Sequence, residues 1–442
     1  MSLAPDNHAD AALPVRYGWR SALAAMSLLW IATVAGAGMS FLTQTLLARE
    51  LGPAEFGMFV SSLATVTMVA PMAGFGLSQF WLKAYGTEGW AADRWLRPSL
   101  RFITLTTLTT LLAIAAWALL GAPSGNTRIT LLILLPVVLS VLAVDLVGSK
   151  LRLEERYGAF ASWQMAIPFS RLMVATSLIV FPIYAGRLVA WGYCAISLGV
   201  VVLATPHLRA MMHNGLRLHG HGPRPVTGEP AELQPATSQL LSRAWAYGMA
   251  AVLYPIFFQV STVLLKYLDD DTQAGMFGIA LAVMTAIYLI PATLYQKFLL
   301  SKLHRWAAHD QRKFWRTYRL GNAAMLAAGV VVGVLMVALS PWLVPLVFGG
   351  KYLPVVKILM VLALCPPIRF LSTGVGSALL SEKHMRYRAY AMSAAAAIVI
   401  VLNFLLIPRF HVLGAAVATV IGEAVLLLSF YIGVRGFYAS SR

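Results

Sequence analysis

The chain has 442 residues, of which 59% are hydrophobic and only 12% charged, about half the charged share of an ordinary soluble domain. A soluble fold of this length cannot hide so much apolar surface, so the solvent around it is lipid. The net charge of +17 would suit a nucleic-acid binder, but its placement along the chain, set out below, excludes nucleic acid as a partner.

A membrane crossing needs about 20 apolar residues. Twelve runs meet that length, at 23–47, 56–82, 102–120, 129–149, 160–181, 188–205, 244–265, 275–300, 320–340, 354–380, 389–407 and 412–433. The run after Arg20 is too long for a cleaved signal peptide and reads as the first span. Pro341, Pro345 and the Gly349-Gly350 pair predict that the ninth helix stops at Ser340 and that 341–350 form a short interfacial turn. Pro71, Gly74 and Gly76 in the second run, Pro168 in the fifth, Pro291 in the eighth and Pro366-Pro367 in the tenth mark bends, either static or moving. Cys194 and Cys365 both lie in apolar runs and read as small buried side chains.

The charges set an orientation. With both termini cytoplasmic, twenty-five Lys and Arg residues fall on the inner side and seven on the outer. That is the positive-inside pattern, so the basic balance is a topology signal. It divides the chain into a cytoplasmic tail 1–20, an N-terminal lobe 21–206, a cytoplasmic linker 207–243, a C-terminal lobe 244–436 and a tail 437–442. The linker histidines His207, His213, His219 and His221 lack the fixed scaffold a metal-ligand set needs and read as solvated. Asp269-Asp270-Asp271 lacks the glycine and distal glutamate of a calcium loop and reads as a wet outer turn.

The chain also repeats itself. Gly57-Met58-Phe59 returns as Gly275-Met276-Phe277, and Leu135-Pro136-Val137-Val138 returns as Leu353-Pro354-Val355-Val356, both 218 positions on (275 − 57 and 353 − 135). Val147-Gly148-Ser149 and Glu154 reappear as Val375-Gly376-Ser377 and Glu382, now 228 on. Six spans per half is an even number, so both copies enter the membrane with the same polarity. Such internal repeats are a signature of secondary transporters, whose substrate site lies where the halves meet.

Several segments resemble a known family. Residues 47–57, Leu-Ala-Arg-Glu-Leu-Gly-Pro-Ala-Glu-Phe-Gly, are similar to the first outer loop of the Wzx-type oligosaccharide flippases, or polysaccharide transporters. So are Asn403-Phe404-Leu405-Leu406-Ile407-Pro408 followed by Gly414-Ala415-Ala416-Val417-Ala418-Thr419, and the turn Phe348-Gly349-Gly350-Lys351-Tyr352. This resemblance runs from the first span to the last. It implies the multidrug/oligosaccharidyl-lipid/polysaccharide exporter fold: an all-α polytopic membrane protein whose twelve helices form two parallel-repeat six-helix lobes around a central, alternately opening cavity. It further implies a polyprenyl-pyrophosphate-linked oligosaccharide of the undecaprenyl type as cargo, flipped from inner to outer leaflet of a bacterial cytoplasmic membrane. Assembly of O-antigen, capsule or exopolysaccharide would follow, with a polymerase and a chain-length regulator as pathway partners. One departure concerns the seventh helix, where many relatives carry an acid and this chain reads Gln259-Val260-Ser261-Thr262.

For such a cargo the anionic head needs a wet, cationic path, because burying an unpaired pyrophosphate is prohibitively costly. Arg171 and Arg369 lie near mid-depth of the fifth and tenth runs. An Arg facing hydrocarbon there costs about 2.5–3.5 kcal/mol, so each is expected to face protein or water. Either they bind pyrophosphate through their planar donors, or they form internal ion pairs with Glu423 and Asp145, the acids within spans. Lys83 and Lys297 end the second and eighth runs on the inner side, as an entrance for the head group or as snorkelling side chains. Gln44, Gln259 and Gln296 are candidates for sugar contacts or for helix–helix contacts. Glu423 and Asp145 are also the candidates for coupling to a proton or sodium gradient.

No nucleophile–base pair, resident metal or cofactor site, or nucleotide-binding loop is readable, so enzymatic chemistry is not expected. The competing expectations are a drug or metabolite antiporter of the same superfamily and, against the short outer loops, a membrane glycan polymerase or glycosyltransferase.

Overall fold

A computed structural model describes residues 19–180, 186–213, 215–218, 235–294, 311–377, 379 and 382–439. Among these, every regular element is helical. Eight segments are long and apolar enough to cross a membrane. They are fewer than the twelve runs of the sequence for two reasons. Ser27–Leu120 and Met385–Gly436, of 94 and 52 residues, each merge several runs. The fifth run, whose end at 181 lies beyond the described residues, is outside the eight.

The merged segments are divided by backbone breaks. Helix α1 covers Trp19–Val69, 51 residues. A straight helix of that length would overshoot the hydrocarbon core of a bilayer more than twofold. It is broken at Gly52, whose φ of 74° is a left-handed conformation that glycine adopts freely, with Pro53 opening the second arm. The second run continues through α2 (Pro71–Gly74) and α3 (Leu77–Glu88), separated by Phe75 and Gly76 at φ 40° and 65°. Pro71, Gly74 and Gly76 therefore interrupt the helix rather than only bend it. The carbonyl of Ala73, freed by that break, accepts from Thr106 Oγ1 at 2.6 Å, the side-chain rescue that a broken helix needs in lipid.

Thr106 belongs to α4 (Leu96–Leu120), whose Leu105, Leu108 and Leu112 are 55–60% exposed. Large apolar side chains on the outside are the expected face towards lipid. Helices α5 (Gly125–Ile133), α6 (Pro136–Leu153), α7 (Tyr157–Val180) and α8 (Gly186–Met212) complete the N-terminal half. The C-terminal half comprises α9 (Thr237–Leu268), α10 (Asp271–Leu294), α11 (Gln311–Phe348), α12 (Val355–Leu362), α13 (Cys365–Ser377) and α14 (Glu382–Ala439). Helix α14 breaks at His411, φ 52°.

One expectation is corrected. Helix α11 runs through Pro341 and Pro345 and ends only before Gly349, whose φ is 95°. Each proline removes one backbone donor, a loss a packed membrane helix absorbs, and the left-handed glycine supplies the stop.

The repeat is visible in the packing. Gly57 of α1 lies against Gly275 of α10: a Cβ on Gly275 would lie 2.5 Å from the Pro53 carbonyl oxygen and 3.0 Å from Gly57 Cα. The two copies of the Gly-Met-Phe triplet thus touch each other across the halves. Nearby, the buried Lys266 ammonium pairs with Asp271 at 3.0 Å and reaches the Met58 carbonyl and the Ser61 and Ser62 hydroxyls at 3.2–3.4 Å. At the same end Tyr352 donates to the Ala48 carbonyl at 2.8 Å, Arg49 bonds to the Leu346 carbonyl, and Phe56 meets the Tyr352 ring edge-on. At the opposite end, Phe75 and Gly76 press against Tyr247 and Gly248, and Arg243 pairs with Glu88 at 3.4 Å.

Candidate functional site

Between these two sets of contacts lies a cavity of about 580 Å³. Its wall comes from α1 and α7 of the first half and α9 and α10 of the second. Each stripe follows helical spacing. The first arm of α1 presents Ala37, Ser40, Phe41 and Gln44, and the second arm presents Val60, Leu63, Ala64 and Thr67. Residues i, i+3, i+4 and i+7 share one helix face. Adding 218 to those eight numbers gives Pro255, Phe258, Gln259 and Thr262 on α9, and Gly278, Leu281, Ala282 and Thr285 on α10, all of which line the cavity. The wall is therefore the sequence repeat, folded around a shared space. The repeat register could have located it from sequence, by taking one helix face and its image in the second copy.

Its polar groups are few. Thr67 Oγ1 donates to Gln259 Oε1 at 2.7 Å across the halves. Gln44 Oε1 and Thr262 Oγ1 are buried without a hydrogen-bond partner among the described residues. Arg171, from the middle of α7, breaks the symmetry as the one cationic side chain among the described wall residues. Its guanidinium lies 4.6 Å from the centroid of the Tyr193 ring, a cation–π contact. No carboxylate among the described residues pairs with it.

Arg369 stands behind the wall. Its guanidinium sits 4.7, 5.3 and 5.7 Å from the ring centroids of Phe258, Tyr288 and Tyr254, which themselves face the cavity. On its far side Arg369 Nη1 lies 3.5 Å from both carboxylate oxygens of Glu423, and Glu423 is fully buried. Of the two readings left open for this arginine, the ion pair describes its contacts. Sequence pattern does not reveal the aromatic screen, because Tyr254, Phe258 and Tyr288 lie in largely apolar helices where no charge pattern marks the face that meets Arg369.

The remaining candidates are scattered. Asp145 of α6 is exposed and lies outside the cavity wall. Lys83 of α3 lines a second, smaller pocket near Arg243, with the Tyr247 ring 5.9 Å away. Gln296 and Lys297 lie outside the described residues, as do His219 and His221. Of the other linker histidines, His207 lies against Trp163 and His213 Nδ1 bonds back to the Arg209 carbonyl. The aspartate triplet is occupied locally: Asp269 pairs with His411 at 3.1 Å, Asp270 caps the Gln273 amide at 2.7 Å, and Asp271 holds Lys266. No group of three or more metal-ligating side chains occurs among the described residues.

A helical bundle with two repeat-related walls around one cavity is the arrangement that the multidrug/oligosaccharidyl-lipid/polysaccharide exporter resemblance implies. Solved structures agree. The lipid II flippase MurJ in an inward-closed conformation superposes with a TM-score of 0.69 at 15% identity, covering 92% of this chain and 87% of that one. An inward-facing multidrug-resistance MATE transporter gives 0.67 at 12% identity, covering 91% and 95%. Among curated proteins, the probable low-salt glycan biosynthesis flippase Agl15 of Haloferax volcanii is 22% identical over 414 residues, 90% of this chain and 80% of the relative. Residues 22–297 match the family described as polysaccharide biosynthesis protein, and the chain belongs to that family. Its helices include segments long and apolar enough to cross a membrane several times, and the relatives it is similar to are named as flippases and transporters.

Proposed function

We propose that the chain flips a polyprenyl-pyrophosphate-linked oligosaccharide from the inner to the outer leaflet of a bacterial cytoplasmic membrane, by alternating access through the central cavity. The observation that carries this reading is Arg171: a cation in an otherwise repeat-symmetric wall, with no carboxylate partner among the described residues. Its fork of donors suits a phosphate, and the unpartnered oxygens of Gln44 and Thr262 suit sugar hydroxyls. The polyprenyl tail stays in lipid. Arg369, held by Glu423, acts through the rings it supports rather than as a direct contact. Both termini are cytoplasmic, and the product feeds polymerisation with its chain-length regulator. A proton or sodium gradient drives the cycle, with Glu423 the stronger candidate of the two acids because it lies one residue behind the wall.

The test is glycan export against protein level in Arg171→Gln and Arg171→Lys variants. Loss of charge-assisted bonds predicts a ten- to hundredfold fall in Arg171→Gln, about 1.5–3 kcal/mol. Unchanged export overturns the assignment of Arg171.

A second reading has one observation in its favour. Phe41, Tyr254, Phe258 and Tyr288 give the cavity an aromatic surface suited to flat hydrophobic drugs. Deletion separates the two: inner-leaflet accumulation of a lipid-linked sugar supports the flippase, and altered drug susceptibility without it supports an antiporter.

A further inference from the structure

The Tyr352 end of the cavity is closed by a charge where close packing would suit an apolar side chain. Lys266 follows the wall residue Thr262 by four positions and so shares its face of α9. Its side chain is 1% exposed. Its ammonium donates to Ser61 Oγ at 3.2 Å, to Ser62 Oγ at 3.4 Å and to the Met58 carbonyl at 3.4 Å, all on the second arm of α1. These acceptors are prepared. Ser61 and Ser62 direct their own hydroxyl protons to the Gly57 and Met58 carbonyls at 2.6 and 2.7 Å, which leaves their lone pairs free to accept. Asp271 Oδ1 lies 3.0 Å away in the first turn of α10, a charge contact rather than an aligned hydrogen bond. The directed bonds of the ammonium therefore cross from the second half to the first. The Asp271 side chain is 35% exposed and sits at a helix N-terminus, so its charge is tolerated without Lys266.

We infer that Lys266 is a reversible tie between the halves, a positioning residue that keeps the Tyr352 end shut and lets go when water enters there. Solvation makes the tie reversible. Burial of an ammonium is costly, and in the closed arrangement that cost is offset by the α1 oxygens and Asp271. When the halves part, the ammonium regains its water as it loses those partners, so the two arrangements stay close in free energy. An apolar side chain of similar length gains nothing from wetting and loses its burial, so it would hold the same end shut. This role rests on the reading of the central cavity as an alternating-access path, and it assigns the group that sets the balance at one end of that path.

Two changes at this contact have opposite expected effects, a pattern that loss of fold does not produce. A Ser40→Cys reporter on the cavity wall of the full-length chain, in membrane vesicles, is labelled with a membrane-impermeant maleimide from each side in turn. Both native cysteines are buried, and Lys351→Cys, exposed beside Tyr352, reports which side that end faces. Lys266→Met is expected to slow labelling from the Tyr352 side about tenfold. Ser61→Ala/Ser62→Ala leaves the ammonium buried with fewer acceptors and is expected to speed it about tenfold, roughly the worth of one charge-assisted hydrogen bond. Any other pattern from the Tyr352 side, with labelling from the Arg243 side intact, overturns the role of Lys266 alone. Labelling from neither side overturns the alternating-access reading, and the tie with it.

Discussion

Gln44 and Thr262 hold the same place in the two copies of the repeat, and each carries a buried side-chain oxygen with no hydrogen-bond partner among the described residues. An unmade bond of this kind costs about 1–3 kcal/mol of fold stability. Replacing Gln44 by Leu or Thr262 by Val is therefore expected to leave thermal stability unchanged or to raise it, while export falls. A joint fall in both quantities would assign these side chains to helix packing instead.

The Arg369–Glu423 pair follows the opposite rule. Both groups are deep, and the separation is 3.5 Å. Removing one partner strands a charge, so Arg369→Met or Glu423→Leu alone is expected to cost about 3–5 kcal/mol. Removing both is expected to cost clearly less than the sum, a coupling that unfolding of the four-member cycle measures directly. Additive costs would mean the pair contributes nothing as a pair.

Glycine substitutions discriminate sharply in this bundle. A Cβ at Gly57 strikes the Asp271 carbonyl and the Gly275 amide, whereas one at Gly38 or Gly199 meets nothing within 4 Å. Gly57→Ala and Gly275→Ala are expected to abolish folded protein in the membrane or displace the helices. Gly38→Ala and Gly199→Ala are expected to be neutral or to stabilise by up to about 1 kcal/mol. Fluorescence-detected size exclusion of the four variants reads this out.

Tyr352 lies between spans, buried, with its hydroxyl on the Ala48 carbonyl. Burial pushes its phenol above the ordinary tyrosine range. A group whose folded pKa is raised gives its full stabilisation below the unfolded value and loses it above, so stability is expected to be flat through neutral pH and to decline beyond about pH 10. In Tyr352→Phe the hydrogen bond goes, at a cost of about 1–2 kcal/mol, and this contribution to the alkaline decline goes with it.

Much of this was legible before any coordinates. The apolar runs and the register of the repeat follow from composition and repetition alone, and that register maps the α1 wall stripes onto those of α9 and α10 once one face is known. What was hidden is physical in origin. Helices in lipid are apolar on all faces, so periodicity could not say that Arg369 turns to Glu423 and lies behind Phe258 and Tyr288. Proline rules learned in water overstated the stop at Pro341, because a membrane helix has no solvent to take over its freed carbonyls and so keeps its path. The break between α12 and α13 before Pro366 was readable only as a bend.

Gly57 and Gly275 meet backbone to backbone, with no side chain between them to cushion or slide. Helices this close at their backbones resist sliding past each other more than leaning, so a rocking motion of the halves would pivot at this contact. It sits beside the Tyr352 end, far from Arg243. A lean of roughly 10° about it would be magnified to about 5 Å of separation across a hydrocarbon core of roughly 30 Å, and the widest opening would fall at the Arg243 end.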